Sequence, residues 1–362
     1  MRTILITKEI LCKEYISYYG NAIHTPNIDY LFKNGSVIND YIVSAPLTTM
    51  ALPIMFTGMN AFQIEMCEEK ETAMDVLKKA GKKCSAIITK QLKNFMADCE
   101  YINRGFNINY VDNEWRCKGG IKPYMDLIEK DKSDFLWVHL NHFFYPEACI
   151  RQELFTQEES DKYNDLGVMS QTMLAVDKFI GWLINSFPND KIIFTGDHGE
   201  AQGQNGHWWY TNYFDHAIVN VPFVVYQSIS QEEFCDVTIS SKSIKNVILN
   251  KPIKLTDTVV SETRFSEQKD KKLMLLKDEW KYLYNDETKN EKLYYLKLNE
   301  SFNFIDGIED KEYYDNYKKF NFKYRKLVNY EDWEKASNIL NNFRKQKEMW
   351  TNKKFNELEK SL

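Results

Sequence analysis

Asp197 and His198 stand side by side in Thr195-Gly196-Asp197-His198-Gly199-Glu200, directly after the apolar run 191–195. A carboxylate and an imidazole adjacent at a strand end, followed by glycine, can both turn toward one metal ion. Glu9 follows the apolar run 4–7 in the same way, and Thr48 opens an apolar, helix-like run that ends at Gly58. Two carboxylates, one imidazole and one hydroxyl form a donor set suited to zinc or manganese. A hydroxyl at a helix start also lies beside free backbone N–H groups, which suit an incoming anion. Each feature alone has an ordinary reading. A threonine ahead of an apolar helix is usually an N-cap, and an isolated Asp-His pair is usually structural. Their combination is what points to chemistry.

The elements that must position these residues follow from periodicity. Residues 4–7, 85–89, 135–140 and 191–195 are short apolar runs that read as buried strands. Between them, 73–80 reads as a helix stopped by Gly81, and Met169, Met173, Val176, Ile180 and Leu183 recur at helical spacing in a stretch that ends near Pro188. Strands alternating with helices predict an α/β fold, a mainly parallel sheet sandwiched by helices. Ligands of such sheets collect beyond the carboxyl ends of the strands, where Glu9, Asp197 and His198 fall. After about residue 260, Lys, Asn, Glu and Tyr become dense. Residues 273–276, 280–284 and 293–296 predict a small C-terminal antiparallel subdomain, and 331–362 a charged helical tail anchored by Trp333, Leu340, Phe343 and Trp350. The expected organisation is a catalytic domain over 1–260, a small sheet over 261–310 and a helical tail over 311–362 packed on the body.

Composition narrows the partners. The 362 residues are 43% hydrophobic and 14% aromatic, enough for a sizeable core and incompatible with a disordered chain. With 47 Lys plus Arg against 52 Asp plus Glu, the net charge of −5 builds no broad cationic surface, so nucleic acid is not an expected partner. No apolar run approaches the ~20 residues of a transmembrane helix, and Met1-Arg2-Thr3 leads straight into the first strand with no signal-peptide pattern. The seven cysteines (Cys12, Cys67, Cys84, Cys99, Cys117, Cys149, Cys235) are scattered without CxxC pairs. Reduced thiols and a cytoplasmic location, with peripheral membrane association left open, are the expectation.

Three segments together carry a resemblance. Thr25-Pro26-Asn27-Ile28-Asp29-Tyr30-Leu31, the stretch from Ala45 to Thr57-Gly58, and Thr195-Gly196-Asp197-His198-Gly199-Glu200 resemble the sulfatase-like branch of the alkaline phosphatase superfamily. Val176-Asp177-Lys178-Phe179-Ile180-Gly181, Gly203-Gln204-Asn205-Gly206-His207, Val221-Pro222-Phe223-Val224-Val225-Tyr226 and the strands near Trp280 and Leu293 stand in the family's order. The likeness covers roughly residues 4–300. Common sulfatases mature a cysteine in C-x-P-S-R, but this segment holds no cysteine. Aligned back from Thr57-Gly58, it places Thr48 at the nucleophile position, with Met50-Ala51-Leu52 where P-S-R would stand and Thr49 as a neighbouring competitor. Glu9 replaces the usual first aspartate. A Glu, Thr, Asp, His set is similar to that of phosphoethanolamine transferases and of phosphoglycerol transferases of the lipoteichoic-acid-synthase type.

The resemblance implies a metal-dependent phosphotransferase. Glu9, Thr48, Asp197 and His198 would hold one divalent ion, zinc or manganese, with a second metal left open. Thr48 would attack phosphorus to give a phospho-threonine. His142 and His207 are assigned to substrate phosphate binding or general-acid work, with His139 competing for the place of His142; His24, His216 and Lys90 receive no role. The implied partners are a small-molecule or lipid-linked phospho-donor and, for transfer, a saccharide acceptor. A soluble phosphodiester, phosphonate ester or sulfate ester hydrolase is the alternative, and a non-catalytic scaffold a further one. Oligomeric state stays open.

Overall fold

The computed structural model describes the chain apart from residues 21–22, 97–99, 112–115, 118, 163–166, 204–205, 211, 228–237, 254, 264–270 and 297–329. Cys99, Cys235 and the Gln204-Asn205 pair lie outside the described residues, as do the side chains of Cys117 and Trp333. Cys12, Cys67, Cys84 and Cys149 are free thiols. The chain divides into two compact units, one comprising 1–59 and 67–254, the other 60–66 and 255–362.

In the larger unit the main sheet contains β1 (Thr3–Lys8), β2 (Ser36–Val37), β3 (Cys84–Ile88), β4 (Asn107–Tyr110), β5 (Phe135–Leu140), β6 (Lys191–Gly196) and, after a hairpin of β7 (Ala201–Gln202) and β8 (Trp208–Trp209), β9 (Phe223–Tyr226). Its order is β2-β9-β6-β1-β5-β3-β4. The five strands from β6 to β4 are parallel, and β9 joins one side antiparallel to both β6 and β2. Every residue of β1, β3, β5 and β6 is buried. That is why these strands read as unbroken apolar runs rather than alternating ones: helices cover both faces of a parallel sheet. The register sets the rim. Lys8 pairs with Leu140 on one side and Gly196 on the other, so the chain leaves β1, β5 and β6 at one level, with Glu9, Asn141 and Asp197 as the next residues.

The helices that matter for the site are α1 (Pro26–Lys33), α2 (Thr48–Thr57), α3 (Ala73–Lys79) and α4 (Val168–Ser186). α3 starts with a reciprocal capping box between Thr72 and Asp75. α1 and α4 are locked together by Asp177. Its carboxylate accepts the backbone N–H groups of Asn27 and Ile28 and the Asn27 amide, all at 2.8–2.9 Å. It therefore caps α1 from a helix 150 residues away in sequence. One turn further along α4, a Cβ at Gly181 would lie 2.5 Å from the Asn27 side chain. Two of the segments that carry the family resemblance are thus one structural contact.

The smaller unit is an antiparallel sheet of β10 (Val259–Glu262), β11 (Lys272–Lys277), β12 (Trp280–Asn285) and β13 (Glu291–Tyr295) in sequential order. α5 (Tyr330–Thr351) belongs to the same unit, and its Leu340, Phe343 and Trp350 share one core with Leu273, Trp280, Tyr282 and Leu293. The expected three strands gain β10, whose Ser261 and Glu262 hide it from an apolar-run reading. No helix among the described residues is long and apolar enough to cross a membrane.

Candidate active site

The centre of the site is the Thr48 hydroxyl. α2 is buried from Ala51 to Thr57, apolar as far as Phe56, and ends at Gly58 in the left-handed conformation. Its N-cap is Leu47, with no side-chain cap, so Thr48 is the first helical residue rather than a cap. The hydroxyl is therefore not spent on the helix. It donates to Asp197 Oδ2 at 2.7 Å and lies 3.1 Å from His198 Nε2.

Backbone groups hold both partners in orientation. Asp197 Oδ1 accepts the N–H of His198 at 2.8 Å and of Ile10 at 3.2 Å, which turns Oδ2 toward the threonine. His198 Nδ1 lies 2.9 Å from the Gly199 carbonyl, an acceptor only, so Nδ1 carries the proton and Nε2 presents a lone pair. Gly199 itself is required by a close approach: a Cβ there would lie 1.9 Å from the Ala217 carbonyl oxygen.

Glu9 enters from the end of β1. The His142 backbone N–H donates to its carboxyl. Burial pushes that carboxyl up to about 7, and the Asp197 charge adds to the shift against the opposing Lys8 ammonium. Lys8 is fully buried and reaches the carbonyls of Glu9 and His142, tying the turn after β5 to the end of β1. Burial lowers its ammonium to about 8, although Glu9, Asp197 and Glu200 all favour the charged form. Glu200 is buried, accepts from the Tyr15 hydroxyl at 2.9 Å, and is raised by its burial.

The histidines separate clearly. His139 lies inside β5 with Nδ1 2.8 Å from the Thr7 hydroxyl, which also accepts from Trp137 Nε1, and burial lowers it to about 4. His142 lies beyond the strand, its ring stacked on Phe143 with centroids 3.8 Å apart and its backbone engaged by Glu9 and Lys8. His207 is held by Asp215 at 2.6 Å and stacked on Tyr213 at 3.8 Å. Its loop reaches the centre through Tyr210, whose ring lies 4.4 Å from His198. His24 and Lys90 are exposed, and His216 bonds Asn220. The structure thus brings Thr48, Asp197 and His198 into direct contact and sets Glu9 and His142 at the same rim, with His207 on the adjoining loop.

Sequence reasoning missed Lys8, Tyr210 and Asp215. A lysine immediately before Glu9 in an otherwise apolar strand was the one available signal; the other two depend on loop pairing. Among the described residues, no three His, Cys, Asp or Glu side chains close on one point by themselves. The convergence is completed by the threonine oxygen. The Thr48 hydroxyl has one proton, whereas Asp197 Oδ2 and His198 Nε2 both offer it lone pairs. Such an electron-rich arrangement, with Glu9 close enough to feel the Asp197 charge, fits a divalent cation.

A family model described as Sulfatase matches residues 2–261. The chain belongs to the sulfatase family. Its fold is shared by many solved structures of this family and its relatives. A 2-O GAG sulfatase, BT1596, is 14% identical, with a TM-score of 0.64 over 91% of this chain and 94% of its own. The phosphonate monoester hydrolase of Agrobacterium radiobacter is also 14% identical, with a TM-score of 0.65 over 87% and 92%. The C-terminal periplasmic domain of EcEptC from Escherichia coli is 20% identical, with a TM-score of 0.56 over 76% and 92%, and is also known as a zinc complex. A comparison with curated proteins finds no match. The chain is a sulfatase-like enzyme of the hydrolase or transferase type.

Proposed function

We propose that this protein is a metal-dependent phosphotransferase with Thr48 as nucleophile, moving a phosphoethanolamine- or phosphoglycerol-like group to a saccharide. The observation that carries the reading is the Thr48 hydroxyl between Asp197 Oδ2 and His198 Nε2, at the start of a helix. Glu9, Thr48, Asp197 and His198 would hold one divalent ion, zinc or manganese. When bound, the ion supplies positive charge that lowers the proton affinity of a hydroxyl and offsets charge on phosphoryl oxygens.

The protein's own residues supply the rest. Asp197 and His198 orient the Thr48 oxygen. The positive end of α2 favours an anion at that oxygen. Thr48 Oγ1 loses its proton to solvent and forms a bond to phosphorus as the bond to the leaving oxygen breaks, giving a phospho-threonine. His207, fixed by Asp215 and Tyr213, donates a proton to the leaving oxygen, and His142 binds the phosphoryl group. An acceptor hydroxyl then attacks phosphorus, giving its proton to the His207 imidazole as the Thr48 Oγ1–P bond breaks; water in its place gives the hydrolase outcome of the same chemistry. Catalysis of this type rests on positioning and charge stabilisation.

The test is a panel of p-nitrophenyl phosphodiester, phosphomonoester, phosphonate ester and sulfate, each assayed with zinc or manganese. The diester or phosphonate ester is expected to be preferred, and Thr48→Ala is expected to lose at least ~10³-fold in kcat with folding intact. Sulfate preference would overturn the phosphorus reading, and near-normal activity of the variant would transfer the role to Thr49.

A further inference from the structure

We infer that the Trp208–Trp209 hairpin is a subsite for an uncharged sugar ring, holding the non-reacting part of the substrate or acceptor; this deepens the Thr48-centred reading and rests on it. The two indoles are 66% and 62% exposed, a large apolar surface to leave in water in a hairpin whose next residue, Tyr210, packs on His198. They are also fixed rather than dangling. β7 and β8 pair Ala201 with Trp209 and Gln202 with Trp208. The Trp208 ring lies against Gly203, where a Cβ would come within 3.1 Å of it and where φ is +94°. Gly203 thus provides both the turn and the floor for the indole.

Trp209 adds a second sign. Its φ of +72° is a conformation that bulky residues adopt only under constraint. The strained residue immediately precedes Tyr210, the ring that packs on His198. The hairpin therefore keeps a strained backbone in which one aromatic meets the catalytic histidine and two stand outside in solvent. Exposed aromatic faces held by a paired hairpin present a preformed surface for a flat, partly apolar ligand.

The chemistry around the indoles selects among such ligands. Between Lys191 and Lys242 the chain contains no Lys or Arg. The residues that flank the tryptophans in the chain include Gln202, His207, Tyr210, Asn212 and Tyr213, hydrogen-bonding groups without a Lys or Arg among them, with Glu200 and Asp215 as the flanking carboxylates. A sulfated glycan or an anionic lipid surface calls for Lys or Arg, which this stretch of chain lacks. A neutral sugar has an apolar C–H face for the indole and hydroxyl edges for amides and phenols. The hairpin matches that pattern.

Binding is tested on the full chain carrying Thr48→Ala, so that no turnover occurs, by following tryptophan fluorescence. The probes are neutral oligosaccharides of glucose, galactose, mannose and N-acetylglucosamine, a sulfated oligosaccharide, and vesicles of phosphatidylcholine with phosphatidylglycerol. Saturable quenching by at least one neutral oligosaccharide is expected. Adding Trp208→Ala should weaken it about tenfold, while Trp208→Phe, which keeps an aromatic face, should retain most of it. No response to any neutral oligosaccharide, tighter binding of the sulfated one, or a spectral shift with vesicles alone would overturn the inference. The two readings fail separately. Phosphodiesterase activity of the unmodified chain without sugar binding sinks only the subsite. Sugar binding in a chain inactive on every ester sinks only the Thr48 chemistry.

Discussion

Glu262 in the small antiparallel sheet and Asp197 at the rim of the parallel sheet are both inaccessible carboxylates, yet their surroundings differ in kind. Each oxygen of Glu262 has its own neutral donor: the Phe62 N–H at 3.0 Å for Oε1 and the Trp350 indole N–H at 2.9 Å for Oε2. That acid ties a helix start and the long helix α5 to its own strand, and its role is complete within the protein. Asp197 has its Oδ1 satisfied by backbone, but among the described residues its Oδ2 is hydrogen-bonded by the Thr48 hydroxyl, which the His198 Nε2 lone pair also addresses. Around it stand Glu9 and Glu200, with Lys8 as the ammonium that opposes them. Buried charge is costly unless paired. A cluster that keeps more carboxylates than cations is organised for a positive partner from outside the chain. The lesson is that burial of an acid does not mark function; the sum of donors around it does.

Removing the acid at each place should break the protein differently. Asp197→Ala is expected to abolish metal retention, read by elemental analysis after purification, together with ester hydrolysis by at least ~10³-fold. Metal content equal to the parent would undo the ligand assignment. Glu262→Ala is expected to leave metal content as it was and to lower unfolding free energy by about 1–3 kcal/mol, because two buried N–H donors lose their acceptor. An unchanged denaturation midpoint would show that the Glu262 contacts are not what ties α5 to the sheet.

How far this contrast could be read in advance depends on how local its causes are. β1, β3, β5 and β6 are buried on both faces, so each announces itself as an apolar run, and the residues that follow them mark the rim without any knowledge of register. Asp197 and His198 were legible for that reason, whereas Thr48 follows none of these strands and was reached from the apolar helix it opens and from the family resemblance. Lys8 was not legible as a buried cation, because its burial arises from the turn that β5 delivers against it, 134 residues away. Asp177 was visible as part of a familiar segment, but its purpose was not: capping α1 is a contact across 150 residues. Tyr210 and Asp215 belong to a loop whose polar sequence has no period, so only the folded hairpin reveals which side chains meet His198 and His207. β10 was hidden because the acid that stabilises it interrupts the apolar pattern.

Glu9→Gln sharpens the comparison furthest, because its expected effect changes sign with conditions. In the folded chain burial and Asp197 raise the Glu9 carboxyl from 4.5 to about 7. The folded state therefore holds this proton more tightly than the unfolded state does. As pH rises from about 4.5 to about 7, the unfolded chain gives up the proton first, and Glu9 progressively costs stability. Glutamine removes that cost while its side-chain oxygen can still accept the His142 N–H. In a chelator, the variant and the parent should be equally stable at pH 4, below both values, and at pH 8 the variant should be more stable, by roughly 3 kcal/mol. Added zinc should reverse the order at pH 8, since the parent gains a ligand that the variant lacks. Chemical denaturation under these conditions measures all three outcomes. A variant that is less stable than the parent in chelator at pH 8 would place Glu9 with Glu262, as an acid already satisfied by the protein itself.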